Sequence, residues 1–569
     1  GYQTQTIAIG ESNVIDLTMQ PEVTEMSEVV VIGYGVQKKS LVTGAIAKVE
    51  SKDITTSVAT RFEQAIQGKT AGMLVVQNSG APGSGMTIKI RGNSSDGSNS
   101  PIYIVDGVKT GGLEYLNPSD IESIEVLKDA ASAAIYGAEG GNGVVIVTTK
   151  KGQKGSSIIE YNYRHGEQTA TNLPKVLNSE QYKNYFLEAT RLDGSKDSTK
   201  FIALDPSVYT NWVDEVFQTA PMDEHTINFS GGNEKTNYYL SASYLNQDGI
   251  VGGEKNNFNR YSFRTNLETE LKTWFTVGSN ISYSRFSRKN LNATNEYGGI
   301  INNAMTYEPT LPVFYNDTNE ILAKYRSNKE IMNAWNRDAE GRYYTKSEIT
   351  TGEAWNPIAQ IDYTDNKTMQ DKIVADMHAT LKPFKGLSIT SRLFTDYAYQ
   401  KWDNFADKNF YGVDPIKADS NTFVEQSWDR WYKYGIENFL DYNLQISDNS
   451  FELMVGQSFE DYKHFWLYIK TYNIPYTSKD FAYPGAAIDT KRFDVGDHSD
   501  NPEASRQASY FGRFNWNYKE LVMFQSNIRY DGASNFGPDN KWAFFPSASL
   551  GLNLHKLEFF KSLPLSFIS

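Results

Sequence analysis

The sequence contains no cysteine, which excludes disulfides, thiolate nucleophiles and cysteine-held zinc or iron–sulfur centres. It has no run of about 18 apolar residues, so no segment can cross a bilayer as a helix. Basic residues are in deficit: 55 Lys and Arg against 68 Asp and Glu leave a net charge of −13. With no basic cluster interleaved with aromatics, that balance speaks against nucleic acid as a partner. The six histidines (His165, His225, His378, His464, His498 and His555) form no H-x-x-x-H pair, and no G-x-S-x-G elbow is present. The chain is therefore read as no enzyme, with no cofactor and no metal. No charged-then-apolar leader precedes Gly1, so the start is expected to be mature or incomplete.

What the sequence does have is rings: 36 Tyr, 30 Phe and 10 Trp in a chain that is otherwise hydrophilic. That combination suits a transmembrane β-barrel, in which an apolar lipid face alternates with a polar lumen between aromatic girdles. Three textures follow one another. Residues 1–20 alternate around "GES" like the end of a small β-domain, and "PEVTEMS" (21–27) reads as a linker. Residues from about 33 to 152 read as a compact α/β unit. It has a helix starting near Ser57 and ended by Gly68, a strand at Met73–Gln77, short strands in "MTIKIRG", "SPIYIVDGV" and "IESIEVLKD", a short helix in "DAASAAIYG" and a closing strand in "NGVVIVTTKKG".

From about Ser157 onward the pattern has period two. In "YFGRFNWNY", Tyr510, Gly512, Phe514, Trp516 and Tyr518 share one face, and Phe511, Arg513, Asn515 and Asn517 the other. "NYYLSASYLN" (237–246) repeats it. Short turns at 231–236, 271–273, 382–386, 447–450, 519–520 and near 555–560 alternate with long polar segments at about 288–370, 401–427 and 470–505. Short turns on one side and long loops on the other describe an outer-membrane meander. About 12 or 13 strands are present. The sequence stops inside "LPLSFIS". An open barrel edge in lipid strands backbone groups at several kcal/mol each, so further strands are expected beyond Ser569.

"NPSDIESIEVLKDAASAAIYGAEGGNGVVIVTTKKG" (117–152) resembles the signature closing the plug domain of SusC/RagA-type TonB-dependent outer-membrane transporters. "EVVVIGYGVQKKSLVTGAIAKV", "EQAIQGKTAGMLVV", "APGSGMTIKIRG" and "PIYIVDGV" resemble that plug's other motifs, in the same order. "YFGRFNWNY" and "IRYDGASNFGPDNKWAFFPSASLGLN" resemble family barrel strands. The resemblance implies a mainly β fold: a small α/β plug inside a large antiparallel transmembrane β-barrel, of 22 strands in the family. It divides the chain into a β-sandwich tail of carboxypeptidase-regulatory-like type (1–20), a linker with the TonB box (21–35), the plug (36–152) and the N-terminal part of the barrel (153–569).

The resemblance implies an integral outer-membrane protein, embedded in lipid, that imports a nutrient with energy delivered by TonB and its inner-membrane complex. A SusD-like surface lipoprotein would cap the barrel. The substrate would be an oligosaccharide, with an oligopeptide as the alternative, and an adhesion or signalling barrel as the alternative of another class. For TonB the segment is Glu28, Val29, Val30, Val31, Ile32, Gly33 and Tyr34. It is a β-branched run behind a flexible linker, suited to strand addition. Residue type alone favours the first plug strand, and the resemblance turns the reading to the TonB box.

The loops "NSGAPGSG" and "GNSSDGSNS" offer Asn78, Asn93, Asp96 and Asn99 to a substrate, ordinary turn chemistry being the other reading. Arg91 is expected to pair with barrel acids and hold the plug. Many relatives carry arginine where this chain has Glu139, so any pairing there must be rearranged or lost. "GAEGGNG" follows a helix and precedes a strand, the wrong order for a dinucleotide loop. "DVGDHSD" lacks EF-hand spacing and reads as a solvated acidic loop. Trp402, Trp428 and Trp431 are read as girdle residues, with stacking on sugars as the alternative.

Overall fold

The computed structural model describes residues 29–557 apart from 32, 39–43, 45, 56–60, 93–98, 156, 195–197, 351–353, 408–421, 477, 489–492, 499–502 and 555–556. The expected β-sandwich tail lies outside the described residues.

The described chain opens with a hairpin, strands β1 (Val29–Val31) and β2 (Val36–Lys38), paired only with each other. The plug proper is built on strands β3 (Ile46–Glu50), β4 (Met73–Gln77), β5 (Met86–Ile90), β6 (Ile102–Val105), β7 (Val108–Thr110), β8 (Ile121–Leu127) and β9 (Val144–Thr149). Five of them form a sheet in the order β3-β8-β9-β6-β7, and β4 and β5 form a separate hairpin. β9 occupies the centre, antiparallel to β8 and parallel to β6. Its sequence, "VVIVTT", explains the position: a continuous β-branched run suits a strand covered on both faces. Val145 and Val147 face the plug core with Ile124 and Phe62, whereas Val144 and Ile146 face the barrel residues Met454 and Phe511. Of the expected helix from Ser57 to Gly68, residues 57–60 lie outside the described residues and the rest is helical only in part. Helix α1 (Ser51–Thr55) precedes it and α2 covers only Phe62–Ala65. The alanine-rich helix α3 (Ala130–Ala133) passes into a 3-10 segment (Ala134–Asn142) kinked at Gly137, φ +68°.

The remaining strands are β10 (Ser157–Gln168), β11 (Ala220–Gly232), β12 (Thr236–Gly249), β13 (Gly253–Lys272), β14 (Phe275–Lys289), β15 (Asp365–Leu381), β16 (Leu387–Ala406), β17 (Phe423–Ile446), β18 (Asn449–Tyr472), β19 (Phe493–His498), β20 (Glu503–Tyr518), β21 (Val522–Ala533) and β22 (Trp542–Leu552). Twelve form one antiparallel meander in sequence order, and the short β19, inside the segment read as an acidic loop, pairs along the far end of β18. Alternation sets the two faces. In β20, Phe511, Arg513 and Asn515 are 3%, 2% and 6% exposed on the plug side, and Tyr510 and Phe514 face outward. Ile373, Met377, Leu393, Leu453, Val455, Ile528 and Tyr530 continue that outward apolar band.

Connections at one end are short, between β11 and β12, β13 and β14, β15 and β16, β17 and β18, and β20 and β21. At the other end, residues 290–364 and 473–502 form long excursions, as expected, and 169–219 forms a third. The first and third meet. Helices α4 (Ser179–Leu192), α5 (Thr199–Ile202) and α6 (Trp212–Val216) belong to one, and α7 (Ile300–Thr306), α8 (Ala323–Arg326), α9 (Lys329–Ala334) and α10 (Pro357–Tyr363) to the other. Trp212, Val216, Ile300, Tyr307 and Ile361 form their shared core, and the Trp212 indole donates to the Glu308 carbonyl at 2.9 Å.

A cation placed mid-strand on the outward face should be costly. Ile528→Arg is expected to lower the stability of the protein folded in lipid vesicles by about 2–4 kcal/mol. Guanidinium unfolding in vesicles reads the change, and Asp539→Arg, in the connection before β22, should leave it within about 0.5 kcal/mol.

Candidate functional site

Beside the apolar contacts of Val144 and Ile146 with Met454 and Phe511, the plug meets the concave face of the meander through polar side chains, and three of its segments carry them. The first is the β6–β7 turn, "VDGV". Asp106 and Gly107 have φ of +48° and +88°, the left-handed pair that a two-residue hairpin turn requires. The turn aims the Asp106 carboxylate at Arg264 of β13, with which it forms a buried ion pair. Asp106 also accepts from the Thr149 amide at 3.0 Å and the Thr149 hydroxyl at 2.7 Å. Burial alone would raise the Asp106 carboxyl, yet Arg264 and the Thr149 bonds hold it below its ordinary value. Arg264 further donates to the Ser282 hydroxyl at 2.6 Å. Arg392 of β16 donates to the Gly107 carbonyl at 3.3 Å and pairs with Glu437 of β17 at 3.2 Å. A side chain at position 107 would collide with that guanidinium.

The second segment is β7 and the residues that follow it. Lys109 reaches Glu460 of β18 at 3.0 Å and Glu139 at 2.8 Å. Burial would lower the ammonium, but Glu460 and Glu139 hold it above its ordinary value. Glu139, expected to have a rearranged or lost pairing, thus pairs within the plug. Beside it, Lys372 of β15 lies 3.4 Å from Asp396 and 3.6 Å from Glu114. The Gly111 amide donates to Asp396 at 3.2 Å. On the opposite flank Tyr239 donates to Asp120 at 2.8 Å, and burial raises that carboxyl.

The third segment joins this network to the β1–β2 hairpin. Tyr34, at the hairpin tip, stacks on Phe511 with centroids 4.4 Å apart and meets Phe439 edge-on at 5.6 Å. Its hydroxyl donates to Glu437 at 3.0 Å, the same carboxylate that pairs with Arg392. Burial, then the charge of Glu437, hold the phenol well above its ordinary value, so it stays a donor. An unbroken polar chain therefore runs Tyr34–Glu437–Arg392–Gly107.

Of the residues singled out from sequence, Val29, Val30 and Val31 lie in β1, and Gly33 and Tyr34 in the turn. Glu28, Ile32, Asn93 and Asp96 lie outside the described residues. Asn78 is exposed and accepts from Thr87 at 2.7 Å, and Asn99 is partly buried. Arg91 needs a correction. It is exposed in a turn at φ +55°, its amide bonded to Gly72, and among the described residues no carboxylate pairs with it. The docking expected of it is carried by Asp106, Lys109 and Tyr34 on the plug, with Arg264, Glu460 and Glu437 on the barrel. Only the "DG" turn signal could have pointed to one of these in sequence. Trp402 and Trp431 are the other correction. By strand alternation with Asp396 on β16 and Lys433 on β17, both face the lumen, and Trp428 faces away.

The TonB-dependent Receptor Plug Domain family matches residues 38–144. TonB-dependent receptor P26 of Formosa agariphila is 31% identical over 96% of the chain and 52% of its own length. TonB-dependent receptor SusC of Bacteroides thetaiotaomicron is 28% identical over 99% of the chain and 54% of its own. Over nearly its whole length the chain is similar to SusC-like TonB-dependent receptors. It spans about half the length of these curated relatives. Its fold matches that of the RagAB peptide importer in the open-open state, with a TM-score of 0.76 and 24% identity over 94% of the chain and 59% of that one. The chain is an outer-membrane protein whose meander is the barrel sheet and whose α/β unit is the plug.

The ion pair in the β6–β7 turn makes plug seating depend on acid. Because the folded Asp106 carboxyl lies below the unfolded value of about 3.9, its contribution is full above that value and is lost as pH falls through the folded one. Arg264→Ala is expected to weaken seating by about 3–5 kcal/mol and to move the onset of plug release to higher pH. Ionic current through planar bilayers, recorded against pH, reads both; an unchanged onset contradicts the assignment. Tyr34→Phe keeps the ring stack and removes one hydrogen bond to a carboxylate, a cost of about 1.5–3 kcal/mol. Amide exchange across Val29–Lys38 should quicken by about tenfold or more.

Proposed function

We propose that this receptor imports an oligosaccharide across the outer membrane, driven by TonB and its inner-membrane complex, with a SusD-like lipoprotein as its lid. The observation that supports this most directly is the polar chain from Tyr34 to the β6–β7 turn. It connects a short β-strand at the plug entrance to the ion pairs that seat the plug. The outer membrane holds no nucleotide, so work has to enter mechanically. Strand addition along Glu28–Tyr34 supplies main-chain hydrogen bonds able to bear a pull, and β1 pairs on one side only among the described residues. In this reading the chain comprises the linker and TonB box, the plug, and barrel strands that enclose it. Asn78 and Asn99, together with Asn93 and Asp96, are then the plug residues offered to substrate. Lumen-facing Trp402 and Trp431 favour a sugar over the oligopeptide alternative.

Deletion of Glu28–Tyr34 tests the reading. In a strain carrying it, uptake of the cognate polymer should fall to background, with surface expression and substrate binding unchanged. Growth at the wild-type rate on that polymer would count against TonB-driven import and in favour of an adhesive or signalling barrel.

A further inference from the structure

Above the plug, the lumen face of β17 and β18 carries a row of rings. Glu460 marks that face by pairing with Lys109 of the plug. The next positions on the same face are Tyr462, His464, Trp466 and Tyr468, spaced about 6.6 Å apart by the two-residue strand repeat. Trp431 stands across from His464, with ring centroids 4.9 Å apart and planes within 9°. His464 in turn stacks on Trp466 at 4.9 Å. The row starts at a cavity of about 280 Å³ over the plug, walled by Trp431, Tyr462, Gln370, Lys372, Asp396 and Lys433. It climbs toward the long-loop end of the barrel.

We propose that this row is a stacking track for the pyranose rings of a neutral glycan, with the cavity as its innermost subsite. The inference rests on the import reading and adds the ligand chemistry to it. A pyranose presents an apolar C–H face to an aromatic plane and a rim of hydroxyls, each both donor and acceptor. Trp431 walls the cavity beside Lys372, which lies between Asp396 and Glu114, and Lys433, whose ammonium donates to the Lys109 carbonyl at 3.3 Å. Hydroxyls bridge such pairs without disturbing their balance. An anion set at Lys372 would have to displace Asp396, leaving that carboxylate buried and unmatched, which is costly. One mode of peptide recognition adds main-chain hydrogen bonds to a free strand edge. Here β16, β17 and β18 are each paired on both sides, so no edge faces the lumen. Ring stacking needs no edge and tolerates sliding from one ring to the next.

Calorimetric titration of the intact receptor in detergent tests the track. The probes are neutral hexasaccharides (α-1,4-glucan, β-1,3-glucan, β-1,4-mannan and α-1,6-mannan) and an alanine–glycine hexapeptide. At least one hexasaccharide is expected to bind, and Trp431→Ala and Trp466→Ala should each weaken it about tenfold. Trp431→Phe should keep most of the affinity, which separates stacking from a folding defect. Trp428→Ala, on the opposite face, should change nothing. Binding of none of the hexasaccharides overturns the proposal, as does hexapeptide binding with the same dependence on Trp431, or a Trp428→Ala loss equal to that of Trp431→Ala. Failure of import itself reads differently: uptake would then be indifferent to deletion of Glu28–Tyr34, whatever the track variants do to binding.

Discussion

The plug is held in the barrel by charges that must find partners out of water, and the rest of the structure follows from that constraint. An apolar plug surface would seat more simply, but separating it would expose that surface to water at about 25 cal/mol per Å². A polar interface separates into groups that water solvates readily. Its stability in the seated state then depends on complete pairing, because one buried charge without its partner costs several kcal/mol. Asp106 with Arg264, Lys109 with Glu460 and Glu139, and Lys372 with Asp396 and Glu114 satisfy that condition across strands far apart in sequence. The lumen face of the meander is accordingly lined with Arg, Asp, Glu and Asn, and the period-two pattern displaces the apolar residues to the lipid side.

How much of this the sequence discloses depends on the range of the interaction. Alternation in "YFGRFNWNY" resolves the two faces of β20 because side-chain direction is a local property of a strand. The short turns are legible for the same reason. β9 is read as a strand, but its central place comes from pairing with residues far away, and only its unbroken β-branched run hinted at it. In the excursion 169–219, Tyr182, Tyr185, Phe186 and Ala189 do carry a helical period behind the Asn178–Gln181 capping box, but its packing against 290–364 is long-range and has no local signal. Arg91 shows the limit most clearly. A conspicuous arginine in a motif invites a partner, yet its turn points it to solvent. Arg264, set in an ordinary alternating strand, holds the pair instead. The faces of Trp402 and Trp431 could have been derived by counting from the turns, but only with the strand ends fixed.

The hairpin at the entrance gives the polar chain a mechanical order. In β1–β2, Val29 pairs with Lys38, Val30 with Gln37 and Val31 with Val36, so the open end of the hairpin is the end nearest the linker. A pull applied before Val29 opens these pairs one after another, each needing little force, and no set of bonds is sheared at once. Tension then arrives at the tip, where Tyr34 is fixed by its stack on Phe511 and its bond to Glu437. Withdrawing that phenol removes one donor from a carboxylate whose remaining partner, Arg392, also holds the Gly107 carbonyl. The loss falls on the turn that carries Asp106. Under the import reading, a strand too short to resist a pull on its own leads the force to the place where the plug's strongest pairing is anchored, and thermal motion alone, spread over all the pairs, has no such route.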